Sequence, residues 1–203
     1  LDNVPMAIEI IEKEEYKNLD LQFLKLHLIH TQNDELSYLK NVKLVLAEIN
    51  EIDIYNILPI FHTIITVFRF NKIDEFFSNY VVSVKYSSPE LKKLLTISLD
   101  IFLQKKNDDI RDELKSLQKI IEYNYTHLLI YIGELYYLNK NYDLAISVFS
   151  KYLNKDIGTP ELSHYLECLF HSGKHQNELI ILFENSRKNL VFAEGILLME
   201  LSL

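Results

Sequence analysis

A helical hairpin recurs along this chain at a spacing of 33 to 35 residues. In the clearest unit, residues 126–159, apolar residues three or four apart lie on both sides of a polar break at 139–141. This pattern is typical of two amphipathic helices joined by a short turn. Equivalent apolar positions recur one unit later and one and two units earlier, so four consecutive hairpins are predicted. Their turns align near Asn71, Gln104, Lys140 and Gly173.

The scarcity of glycine and proline supports a helical interpretation. Only four of each occur among 203 residues, whereas globular proteins average roughly 7% and 5%. Sheet proteins and dinucleotide-binding loops need glycine for tight turns and for close approach of the backbone. The chain is therefore predicted to be all-α.

The unit at 126–159 carries two short motifs, Ile132-Gly133-x2-Tyr136 and Ala145-x3-Phe149. In these motifs it resembles the tetratricopeptide repeat (TPR), a 34-residue helix-turn-helix. It departs from that family at Leu129, where the family has tryptophan. The resemblance implies a right-handed superhelical solenoid of antiparallel helix hairpins, that is, a TPR-like α-α superhelix.

One TPR-like helical-repeat domain is expected over residues 1–203. It would comprise atypical N-terminal helices at 1–56, about four repeats at 57–190 and the start of a further helix at 191–203. Because the chain begins with Leu1 and stops within an apolar pattern, we expect it to be a fragment of a longer chain. The apolar end is expected to be covered, either by further chain or by a second copy in a homodimer formed through the C-terminal helix.

The charge pattern argues against two classes of partner. The chain has 21 Lys and Arg against 29 Asp and Glu, a net charge of −8, and its basic residues form no stripe, so direct nucleic-acid binding is not expected. The most apolar stretch, 52–68, is interrupted by polar residues, so no membrane span is expected.

No signal-peptide pattern opens the chain, and a single cysteine fits a reducing compartment. A cytoplasmic location is predicted.

The motifs of the common enzyme classes are missing. The glycines are never closer than 15 residues, which excludes both phosphate-binding loop patterns, and neither H-E-x-x-H nor G-x-S-x-G occurs. His164, Cys168 and His171 share one helical face, where a metal could take two of them but would need further ligands from elsewhere. A polar groove surface is the favoured interpretation. No catalytic residue, metal or cofactor is predicted, and the chain is not expected to be an enzyme.

In the TPR family the first helix of each hairpin lines a concave groove. Carried over position by position, the resemblance implies groove residues at His62, Thr66, Arg69, Lys92, Leu95, Leu99, Phe102, His127, Ile130, Glu134, Tyr137, Glu161, His164, Cys168 and His171. Tyr131, Tyr137 and Tyr165 lie off the main apolar stripe. These tyrosines are either partner contacts or packing between repeats.

Solenoids of stacked hairpins bind other proteins or extended peptides on their concave surface. The leading hypothesis is therefore a protein–protein interaction scaffold that holds a peptide or helical segment in this groove by burying its side chains. The basic clamp with which some TPR domains hold C-terminal carboxylates is not reproduced, so a chaperone tail is not the expected partner. The alternative is a ligand- or peptide-sensing regulatory domain of a larger bacterial regulator.

Overall fold

The computed structural model describes residues 3–13, 18–32, 34–69, 75–103, 107–153, 160–173 and 176–187. Within these ranges the chain forms eleven α-helices, one 3-10 turn and two strands of two residues each. The predicted all-α class is confirmed at this level. No helix in the described ranges is long and apolar enough to cross a bilayer.

The chain divides into two compact units, residues 1–102 and residues 103–203. The first unit contains α1 (Val4–Lys13), α2 (Leu19–Thr31), α3 (Glu35–Glu48), β1 (Glu51–Ile52), α4 (Ile57–Arg69), α5 (Glu75–Ser83), β2 (Lys85–Tyr86) and α6 (Pro89–Phe102). The second contains α7 (Asn107–Asn124), the 3-10 turn (Thr126–Leu128), α8 (Leu129–Leu138), α9 (Tyr142–Tyr152), α10 (Pro160–Ser172) and α11 (Gln176–Arg187). The predicted hairpin of α6 and α7 thus spans the boundary between the units.

Apolar periodicity predicts helices from Val4 to Tyr16 and from Leu19 to His30, and a third helix with an apolar stripe at Leu36, Leu39, Val42, Leu46 and Ile49. The structure has helices α1, α2 and α3 in these places, with residues 14–17 outside the described part. The side chain of Asp34 caps α3 by accepting a hydrogen bond from the backbone N–H of Ser37, which holds the pKa of Asp34 below its ordinary value. Val42 and Leu46 are fully buried. Leu36, expected on the same stripe, is instead 80% exposed, because Tyr38 occupies the buried position in the first turn and residues two apart point to nearly opposite sides of a helix.

A short parallel strand pair joins β1 to β2, and periodicity did not predict it. Glu51 is paired in register with Lys85, and Ile52 with Tyr86. The Glu51 and Lys85 side chains also form an ion pair of 3.0 Å, and Ile52 is fully buried. Two residues are too few to show an alternating pattern, so the sequence carried no signal for this pair.

The α8–α9 hairpin of the second unit turns at Lys140, as predicted. Lys140 adopts a φ of 58°, and the backbone N–H of Asn141 donates to the carbonyl of Tyr136 across the turn. The two helices approach closely at Gly133, where an added Cβ would lie 2.7 Å from Cε1 of Phe149. Glycine is required there because the neighbouring ring is itself buried and has little room to move.

The α10–α11 hairpin turns at Gly173, also as predicted. Gly173 has a φ of 64°, and its N–H donates to the carbonyl of Phe170, which is typical of a glycine that ends a helix. The rings of Phe149 on α9 and Tyr165 on α10 lie 5.8 Å apart and connect the two hairpins. The turns predicted near Asn71 and Gln104, and the helix predicted at 191–203, lie outside the described residues.

Candidate functional site

Helices α8 and α10, the first helices of the two hairpins in the second unit, present polar and aromatic side chains to each other. The residues concerned are spaced three apart on each helix, which places them along one side of it. We call this set the α8–α10 cluster; it consists of Tyr131, Glu134 and Tyr137 on α8 and Glu161, His164 and Glu167 on α10.

A buried pair lies at the centre of the cluster. Nδ1 of His164 lies 2.6 Å from Oε2 of Glu134, and the two side chains are only 12% and 5% exposed. The other carboxylate oxygen of Glu134, Oε1, is buried and has no hydrogen-bond partner. A carboxylate withdrawn from water is stable only when its oxygens find donors or charges. Only one of the two carboxylate oxygens of Glu134 therefore has a hydrogen-bond partner.

Tyr137 connects the pair to Glu167. Its ring is stacked on the imidazole of His164, with centroids 4.4 Å apart, and its hydroxyl donates to Oε2 of Glu167. Burial raises the pKa of Tyr137, and the hydrogen bond to Glu167 raises it further. Because the phenol stays protonated at neutral pH, it remains a hydrogen-bond donor to the carboxylate.

Tyr131 lies at the other end of the cluster, close to two carboxylates. Burial raises the pKa of Tyr131 to about 12, and the negative charges of Glu161 and Glu134 contribute to the rise. Two carboxylates therefore act on the same hydroxyl group. The cluster is a local concentration of negative charge with aromatic walls.

Cys168 lies beside the cluster but is fully buried. Burial raises the pKa of its thiol well above the usual range, and the charges of Glu134 and Glu167 add to the effect. A thiol in this setting is neither a good nucleophile nor a good metal ligand, because both roles need the thiolate. Among the residues that the structure describes, no group of three or more His, Cys, Asp and Glu side chains is placed to hold a metal ion.

A cavity of about 380 Å³ opens next to the cluster. Its wall includes Tyr142 and His171, whose rings are stacked 4.8 Å apart. The basic side chains of Arg111 and Lys140 also line the cavity, together with Asn141, Asp143, Leu144 and Ser172. The predicted groove residue His171 thus belongs to this cavity and not to the α8–α10 cluster.

Two of the predicted groove residues in the first unit lie together. His62 and Thr66 line a small cavity of about 140 Å³ between α2, α3 and α4, where they meet His27, His30 and Tyr38. Arg69 ends α4, and its side chain lies outside the described part of the chain.

Four of the other predicted groove residues have buried side chains. Phe102 is buried, and its ring is stacked 4.2 Å from that of Phe68 in the same unit. Leu95, Leu99 and Cys168 are buried as well. His127 is exposed, but it lies in the 3-10 turn before α8.

Several residues of the site were missing from the predicted set. Glu167 follows His164 by three residues, and this spacing could have identified it. Tyr142 and Arg111 come from second helices of hairpins, which the resemblance does not assign to a groove.

For Tyr165, partner contact and packing were both left open by the sequence. Its side chain is fully buried, and its hydroxyl donates to Oε1 of Glu178 on α11 at 2.5 Å. Tyr165 is therefore a packing residue.

Comparison of the chain with known proteins found no match. No family model matches it, and no curated protein or solved structure is significantly similar to it. Function must therefore be inferred from the side chains themselves.

Proposed function

We propose that this chain is a protein–protein interaction scaffold. In this proposal its hairpins are TPR-like repeats of a right-handed superhelix, and the concave face lined by α8 and α10 holds a peptide or helical segment of a partner. The observation that carries the proposal is the Glu134–His164 pair, which links the first helices of two consecutive hairpins. These are positions at which the resemblance to the TPR family implies groove residues.

The cluster has properties that suit recognition. Tyr131 and Tyr137 are partly accessible, and tyrosine offers a large apolar ring with a polar tip, a combination enriched where proteins bind each other. Tyr137 is held between His164 and Glu167. Side chains that are already held in place lose little conformational entropy on binding, which favours affinity.

A catalytic role has less support. Within the described residues, the cysteine is buried with a raised pKa, and the tyrosines of the cluster also have raised pKa values. Nucleophilic catalysis needs the opposite shift, towards the ionised form at neutral pH.

The second candidate function is the ligand-sensing regulatory domain. The observation that favours it is the cavity of about 380 Å³ with Arg111, Lys140 and His171 in its wall, because cavities of roughly 300–1,000 Å³ are typical of sites for small molecules. In that case native mass spectrometry of the purified protein would show a retained small ligand that is lost in the Arg111→Ala variant.

Site-specific photo-crosslinking in cells tests the scaffold. A benzophenone amino acid placed at Tyr131 should form adducts with a protein partner, while the same probe at Tyr123 provides a matched control. Tyr123 is highly exposed on α7 in the same unit and lies outside the cluster. Any adduct identified from position 131 is then re-made with purified components. Equal adducts at both positions, or none at position 131, would contradict the proposal.

A further inference from the structure

The buried oxygen Oε1 of Glu134 indicates what the cluster binds. Glu134 is 4% exposed, and Oε1 has no hydrogen-bond partner although its companion Oε2 lies against His164. The two oxygens of one carboxylate are about 2.2 Å apart by covalent geometry, so Oε1 lies close to the oxygen that meets His164. A buried acceptor without a donor is destabilising, and a ligand that supplies the donor gains from that deficit.

The charge around Glu134 favours a donor that is also a cation. Glu161 and Glu167 lie in the same cluster, and both are partly accessible. In the part of the chain that the structure describes, no Lys or Arg side chain is paired with Glu134, Glu161 or Glu167. Among the described contacts, His164 lies against Glu134 and the Tyr137 hydroxyl against Glu167, on a chain whose net charge is −8.

The walls of the cluster favour a planar cation. Tyr137 and His164 form a stack of two parallel rings, and Tyr131 lies on the same side of α8. A guanidinium group stacks on aromatic rings and donates up to five hydrogen bonds in a fork that matches carboxylates. An ammonium group is a compact charge that is held strongly by water, so it gains less from such a surface.

We propose that the α8–α10 cluster binds an arginine side chain of the partner segment. The guanidinium supplies the donor that Oε1 of Glu134 lacks, pairs with Glu161 and Glu167, and lies against the tyrosine rings. This inference rests on the proposed scaffold function and adds to it the chemistry of the partner, a peptide carrying at least one accessible arginine.

Titration with small probes tests the inference on the whole 203-residue chain. N-acetyl-arginine amide is compared with N-acetyl-citrulline amide, which has nearly the same shape but no charge, and binding is followed through the NMR signals of the Tyr131 and His164 rings. We expect saturable shifts with the arginine probe and at least tenfold weaker ones with citrulline. Equal responses to both probes would overturn the inference. Spermidine serves as a third probe, and tighter binding of spermidine than of the arginine probe would overturn the assignment to a peptide.

Paired variants locate the binding site. Glu161→Gln with Glu167→Gln should weaken binding of the arginine probe at least tenfold, whereas Asp112→Asn with Glu113→Gln, which removes the same charge from exposed positions on α7, should leave it within twofold. Circular dichroism checks that both variants are folded, and Glu161→Gln alone replaces the double variant if that one unfolds. Equal losses in the two charge-matched variants would show a nonspecific charge effect and contradict the proposal.

The test of the arginine site and the test of the scaffold function can fail independently. Crosslinking at Tyr131 without an arginine response would leave the scaffold standing and reject the arginine site. Absence of crosslinking would reject the scaffold itself, whatever the small probes show.

Discussion

The two units satisfy their buried polar groups in different ways. In the first unit the hydroxyls of Thr63 and Ser98 donate to carbonyls one turn earlier in their own helices, each at 2.7 Å. In the second unit three buried or half-buried side chains, Glu134, Tyr137 and Tyr165, contact side chains of other helices. Glu134 meets His164, Tyr137 donates to Glu167, and Tyr165 donates to Glu178.

The hydrogen-bond partners in the two units differ in charge as well as in their distance along the chain. In the first unit Tyr38 interacts across helices with the neutral hydroxyls of Thr63 and Thr66. The ion pair of Lys25 with Glu12 joins α2 to α1, but there the carboxylate side chain is 56% exposed. Bonds that involve a carboxylate are roughly twice as strong as neutral ones, and losing one partner leaves a charge buried alone. The second unit therefore holds its helices together through the same kind of groups that a charged ligand would recognise.

Glycine usage separates the units as well. All four glycines of the chain follow residue 132, so the first unit has none. In the second unit Gly133 permits the close contact of α8 with α9, and Gly173 permits the left-handed turn after α10.

The largest effect is expected from removing the partner of the buried carboxylate. His164→Ala should lower the free energy of unfolding by about 3 kcal/mol, because the buried carboxyl group of Glu134 then loses the imidazole nitrogen that lies against Oε2. Lys13→Ala is the control, since Lys13 and Glu9 form an exposed ion pair with side chains 72% and 64% accessible. That change should cost under about 0.5 kcal/mol. Urea unfolding measures the free energy of unfolding of both variants. Similar losses would show that the buried pair contributes no more to stability than the exposed one.

Filling the contact between α8 and α9 should be the next largest effect. Gly133→Val forces side-chain carbons into the ring of Phe149, and overpacking of this kind costs about 2 kcal/mol. The double variant Gly133→Val with Phe149→Leu should recover part of the loss, since leucine is smaller and more flexible than the ring. Thermal unfolding measures both. If the single variant is as stable as the parent protein, the close approach at Gly133 is wrong.

A smaller effect distinguishes the two kinds of buried hydroxyl. Tyr165→Phe removes the donor to Glu178 and should cost about 1.5 kcal/mol, the lower end of the range for bonds to charged groups. Ser98→Ala in the first unit should change stability by less than about 0.5 kcal/mol, because the Leu94 carbonyl keeps its helical bond and alanine favours the helix. Chemical denaturation of the two variants compares them directly. Equal costs would mean that bonds between helices add no more than bonds within one.

The smallest effect concerns the turn after α10. Gly173→Ala should cost about 1 kcal/mol, because its φ of 64° is unfavourable for a residue with a Cβ. Since no atom lies within 4 Å of a Cβ added there, the loss would come from the backbone alone. Gly173→Asn should cost less, because asparagine tolerates this conformation better. A reversed order of the two variants would show that the turn is not held in the left-handed region.

The local pattern of the sequence was enough to predict the helical class and several of the turns. Periodicity of 3.6 residues and short polar breaks are local signals, and they placed the turns at Lys140 and Gly173 and the three N-terminal helices as the structure has them. The resemblance to the TPR family, and not the periodicity, predicted one shared surface for Glu134, Tyr137 and His164, because each lies on the first helix of a hairpin.

Which of those side chains remain accessible depends on how the helices and strands pack. Phe102 and Cys168 lie on the predicted faces and are nevertheless buried, and Leu36 lies on an apolar stripe and is exposed. A helical stripe specifies a direction, while burial depends on which neighbouring helix or strand covers it. The pairing of β1 with β2 and the single satisfied oxygen of Glu134 depend on residues about 30 positions apart, and the periodicity of one helix contains no information about such distant partners.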